Sequence, residues 1–68
     1  MDTVEWFINN CLHEWTVSRS GHTGGWTVKA IADDIKGQEQ EYVLEFHQYD
    51  LVSQISVARK ILHTQFVA

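Results

Sequence analysis

The chain has no proline, a single cysteine at position 11, and only five lysines and arginines against nine acids. Each shortage excludes something. One cysteine cannot form an internal disulfide, so the staple of many small secreted domains is missing and a reducing, cytoplasmic setting is expected. So few basic residues leave no cationic stripe of the kind that dominates affinity for nucleic acid. No apolar run approaches the roughly 18 residues that span a bilayer, and no basic-then-apolar leader opens the chain, so no membrane partner is expected. Repeats, low-complexity stretches and linkers are absent as well, and residues 1–68 read as one small α+β domain.

What is present suits a globular chain: 44% hydrophobic and 12% aromatic residues,. At this length one core supplies only about a few kcal/mol of net stability. The chain therefore needs well-packed helices on a sheet, or extra burial in an oligomer; a homodimer would meet that need.

Asp2 or Thr3 can cap a first helix,. Val4, Phe7, Ile8, Cys11, Leu12 and Trp15 recur at helical spacing, which predicts a helix to about Leu12 or Glu14,. Trp15-Thr16-Val17-Ser18 and Trp26 to Ile31 then alternate as strands across a glycine-bearing hairpin loop,. "DDIKGQEQE" is a polar connector, and "EYVLEFH" reads as a third strand. Asp50 is the expected N-cap of a closing helix whose stripe is Leu51, Ile55, Ala58, Leu62 and Phe66,. The order α-β-β-β-α implies a three-stranded antiparallel sheet with both helices packed on one face. Period-two alternation assigns Trp15, Val17, Trp26, Val28, Ala30, Tyr42, Leu44 and Phe46 to that face,. The other face, with Thr16, Ser18, Thr27, Lys29, Ile31, Glu41, Val43, Glu45 and His47, reads as wet,.

"SGHTGGW" lacks what a phosphate cradle needs, because a strand rather than a helix follows it,. Its glycines suit a hairpin turn. An α-β-β-β-α chain of about seventy residues also resembles the double-stranded-RNA-binding domain, whose first hairpin loop carries a histidine into a minor groove. "SGHTGGWTV" resembles that loop, with His22 in the position of interest. Two departures stand against the resemblance. "DLVSQISV" occupies the place of the family's basic cluster with one acid and no base, and the loop is shorter and lacks the family's usual proline. Nucleic-acid binding, the alternative function, would use Arg19, His22, Lys29, Arg59 and Lys60.

His13, His22, His47 and His63 show no i, i+4 pairing and no Cys-x-x-Cys accompanies them, so neither metal nor cofactor is expected,. Cys11 lies on an apolar stripe, where a thiol acts as a small hydrophobe. No serine or cysteine sits in a recognisable nucleophile elbow, and the chain reads as a non-enzyme.

The charges point instead to a protein partner. Asp33, Asp34, Glu39, Glu41, Glu45 and Asp50 are opposed over that span by Lys36 alone. Trp6 falls nearly opposite the first helix's stripe, beside Asp2, Asn9 and His13,. An outward tryptophan is a frequent interface anchor. Val57 and Ile61 lie off the second helix's core line, either because that helix is buried on a wide front or because they meet another molecule. Ile31 and Val43 are expected as cross-strand neighbours within a charged rim. The favoured function is a small acidic interaction module, a regulator or inhibitor that occupies another protein's basic surface through Trp6, His13, Asp33, Asp34, Glu39, Glu41, Val43 and Glu45.

Overall fold

The computed structural model describes residues 2–21 and 24–67, with the side chains of 66 and 67 outside the description. Helix α1 (Thr3–Asn10) is followed by strands β1 (Leu12–Arg19), β2 (Trp26–Asp33) and β3 (Glu39–Phe46), then helix α2 (Gln54–Val67). The strands form an antiparallel sheet in the order β1-β2-β3, the α+β arrangement expected from the sequence.

α1 starts where the Asp2 carboxylate accepts the Val4 amide at 3.2 Å,. It ends at Asn10 rather than at Leu12 or Glu14, with the Cys11 amide donating to the Phe7 carbonyl. Leu12 and Trp15 are therefore strand residues that continue the apolar pattern on a new element. A bulge makes this work. Leu12 pairs with Ala32 and Glu14 with Ile31, so His13 is the extra residue and both Leu12 and Trp15 keep the helix-bearing face,.

β2 is the central strand, and its inner side is small: Val28, Ala30 and Ala32 are fully buried. Small side chains there let helix side chains settle close to the sheet. Phe7 comes down from α1, and Val57, Ala58 and Ile61 from α2, with Leu12 and Phe46 completing the core. Trp15, Trp26, Tyr42 and Leu44 pack around it as assigned from the alternation. Val17 keeps the assigned face, opposite Val28, but is 41% exposed at the sheet margin.

Two expectations about α2 are corrected. Asp50 does not cap it, since that carboxylate accepts the His47 amide in the preceding turn. The helix instead begins after Ser53, whose hydroxyl accepts the Ser56 amide at 3.2 Å,. Ala58 and Leu62 pack against the core as expected, and Val57 and Ile61 join them. The helix is thus buried on a wide front, while the first residues of the expected stripe stay outside. Leu51 precedes the helix and is 89% exposed, Ile55 is 51% exposed, and Val57 and Ile61 are the buried pair. Gln65 fixes the far end of α2, its amide donating to the Asp33 carbonyl at 2.6 Å and to the Tyr42 hydroxyl at 3.1 Å.

The glycine loop joins β1 to β2. The Ser20 amide donates to the Gly25 carbonyl, and Gly24 has φ +70°, a backbone that favours glycine,. His22 lies outside the described residues.

Replacing Ile61 with Ala should cost about 2–5 kcal/mol, because the cavity opens under both helices. Ile55→Ala should stay within about 0.5 kcal/mol of the parent. Urea unfolding followed by circular dichroism measures both.

Candidate functional site

A groove of about 550 Å³ opens between α1 and the turn joining β2 to β3. Trp6, Phe7, Cys11, Ile35 and Leu62 give it apolar walls, and Asp33 and Asp34 stand on its border. Trp6 is 50% exposed. Helical geometry explains this: Phe7 takes the inward position on α1, so its predecessor is turned about 100° away,. Asn10 adds a bond from its side-chain amide to the Trp6 carbonyl at 2.8 Å, closing the last turn beneath the indole.

Asp33 ties three parts of the groove wall together. Its amide donates to the Cys11 carbonyl, its carbonyl accepts from Gln65, and its carboxylate lies 2.9 Å from His13 Nε2. His13 reaches Asp33 because it is the bulged residue of β1, not because it ends a helix. Asp34 serves the turn. One carboxylate oxygen accepts the Lys36 amide at 2.8 Å and the Gln38 amide at 2.9 Å, and the other accepts from the Gln40 side chain. These contacts hold its pKa below the ordinary aspartate range. The Gln38 amide contributes most and partial burial opposes it, while the Lys36 amide, the Gln40 side chain and the Lys36 charge add to the lowering,.

The groove thus brings together Trp6, Asp33 and Asp34, with His13 joined through Asp33. It does not gather the other acids. Glu39, Glu41, Val43 and Glu45 share the opposite, open face of the sheet. There Val43 stands opposite Lys29, and Ile31 opposite Glu41. Ile31 and Val43 are therefore diagonal neighbours rather than a directly paired couple, because the register is set by the Asp34–Gln38 turn,. Asp50 lies elsewhere again, bordering shallow grooves with Val17, Trp26, Leu51 and Val52 on one side and with Arg59 and Lys60 on the other.

The basic residues are dispersed too. Lys29 is on the open face. Arg19 lies 5.0 Å over the Trp26 ring. The Lys60 ammonium donates to the Glu45 carbonyl at 2.7 Å and sits over Phe46. Ile35, Leu62, Gln65 and Cys11 were not singled out as site residues, yet they line the groove. The signal for Ile35 was present: a bare isoleucine between Asp34 and Lys36 at a turn has no core to enter.

Chemically, the groove can bind an apolar group beside a cation. Cys11 is a poor nucleophile there, since burial raises its pKa and the Asp33 carboxylate raises it further,. Among the described residues no three or more His, Cys, Asp or Glu side chains are placed to hold a metal ion, and no helix is long and apolar enough to cross a membrane. No protein family, curated protein or solved structure matches the chain.

Two measurements check this electrostatic description. The amide protons of Lys36 and Gln38 should titrate together in NMR spectra with a midpoint below the ordinary aspartate value. Asp34 thus supports the turn at all pH values above its unfolded pKa, and that support is lost only as pH falls through the lowered folded value,. Alkylation of Cys11 by iodoacetamide should remain slow at neutral pH and accelerate only above the range of a free thiol,.

Proposed function

We propose that this chain is a small non-enzymatic protein-interaction module that regulates or inhibits a partner by holding part of its surface in the Trp6 groove. The observation that carries the reading is the half-exposed Trp6 beside an apolar groove that Asp33 and Asp34 also line. A tryptophan at the edge of a concave apolar site supplies a large contact area at small entropic cost, and such residues dominate interface energies. The carboxylates favour a partner that places a lysine or arginine next to its apolar anchor. The net charge of −4 speeds encounter with a basic surface,. On this reading the open-face glutamates, Glu39, Glu41 and Glu45, steer the approach rather than form the contact. A cytoplasmic partner is the natural one for a chain without a disulfide.

A second reading, binding of structured nucleic acid, is favoured by one observation. The α-β-β-β-α order resembles that of the double-stranded-RNA-binding domain. Of the basic residues, Arg59 and Lys60 share one shallow groove with Asp50 and Leu51, while Arg19 stands apart over Trp26.

Selection from a displayed peptide library separates the two. The groove should enrich peptides that pair a bulky apolar residue with an adjacent lysine or arginine, and Trp6→Ala should abolish their binding while leaving the unfolding free energy within about 1 kcal/mol of the parent. Binding that survives Trp6→Ala overturns the groove reading. Salt-sensitive retention on a duplex-RNA column, lost in Arg19→Ala and Arg59→Ala, supports the second one.

A further inference from the structure

Among the described residues the sheet is open, so β1 and β3 each present an edge without a strand neighbour. In an antiparallel ladder, residues alternate between those bonded to the neighbour and those whose N–H and C=O point away. Two turn bonds fix the phase on each side. The Ser20 amide donates to the Gly25 carbonyl at 2.9 Å, so Ser18, Thr16 and Glu14 bond to β2. Trp15, Val17 and Arg19 therefore aim their backbone groups out of the β1 edge. The Asp34 amide donates to the Gln38 carbonyl at 2.8 Å, which by the same alternation turns Glu39, Glu41, Val43 and Glu45 outward along β3.

The two edges are finished differently. β3 carries exposed carboxylates at Glu39, Glu41 and Glu45, and the Glu45 carbonyl is already taken by Lys60 at 2.7 Å. A second strand of the same kind would set like charges side by side there. β1 has no such guard. Between Trp15 and Ser18 it has no charged residue, and among the described residues no group outside the strand bonds the N–H or C=O of Trp15, Val17 or Arg19. Next to this edge, Val17 and the strongly exposed Leu51 share a shallow apolar groove with Trp26.

We infer that the β1 edge pairs with the β1 edge of a second copy of this chain, antiparallel about a two-fold axis, joining the two sheets into one. The register with Val17 opposite Val17 uses every outward group. Trp15 of one copy then faces Arg19 of the other, and Thr16 faces Ser18. No like-charged pair is created. The Arg19 guanidinium, which already lies over Trp26, gains the partner copy's Trp15 ring on the same face,. The hydroxyls of Thr16 and Ser18 meet on the open face, a favourable cross-strand pair. The Val17 and Leu51 surfaces flank the seam, giving a chain of 68 residues apolar burial that its own core is too small to supply,. This surface is separate from the Trp6 groove, so either can fail without the other.

Sedimentation velocity at concentrations up to roughly 1 mM, where even a weak pair would be half formed, reads the association state. Val17→Pro removes an outward N–H without costing a β1–β2 bond, and Val43→Pro does the same on β3. The parent and Val43→Pro should sediment as dimers, and Val17→Pro as a monomer with unchanged circular dichroism. If Val17→Pro does not fold, the double variant Thr16→Glu, Ser18→Glu decides, since it keeps the backbone and sets carboxylates facing each other across the seam. A parent that stays monomeric throughout overturns the inference. So does a dimer that survives the β1 variants or dissociates with Val43→Pro.

Discussion

The helices lie with α1 nearest β1 and α2 nearest β3, closing over the buried inner side of the central strand, Val28, Ala30 and Ala32. Most of what distinguishes this molecule follows from that packing. Small side chains leave room for Phe7 from one helix and for Val57, Ala58 and Ile61 from the other to reach the sheet. Once Phe7 points inward, Trp6 must point sideways, because neighbouring helical residues differ by about 100°. Once Val57 and Ile61 are inward, Ile55 is left at the rim. The exposed apolar residues are thus consequences of where the helices are anchored, and the groove and the bare sheet edge inherit their positions from the same packing.

Asp33 shows how one residue extends that packing into a site. Its backbone joins the end of α1 to β2 and receives Gln65 from α2, while its side chain holds His13. Its neighbour Asp34 is spent on the turn, where backbone amides stabilise its charge. Both carboxylates are therefore held by neighbouring groups rather than left mobile. Glu39, Glu41 and Glu45 face the other side of the sheet, where a second strand of the same kind laid against β3 would meet like charges,.

Much of the fold was legible in the sequence because strand alternation and turn residues are local signals. The inner face of β2 and β3 could be read residue by residue from period two. The boundary between α1 and β1 could not. Leu12 and Trp15 fit a helical stripe as well as they fit a strand, and only a bulge at His13 reconciles them with the sheet. The start of α2 was hidden for a similar reason: Asp50 and Ser53 are both acceptable caps, and the choice between them decides whether Leu51 belongs to the helix at all. Of the site, Trp6 could be picked out by its angle on the helix. Ile35, Leu62 and Gln65 could not be grouped with it, since they come from three separate stretches of chain.

The sequence alone determined the order of elements, the two-sided character of the sheet and the surplus of negative charge, since each depends on neighbours within a few residues. Only the tertiary structure decided which acids stand beside the indole, which helix residues are covered, and which edge of the sheet lacks a guard. Those outcomes depend on contacts between residues as far apart as Asp33 and Gln65, and local pattern carries no information about distances that folding alone creates.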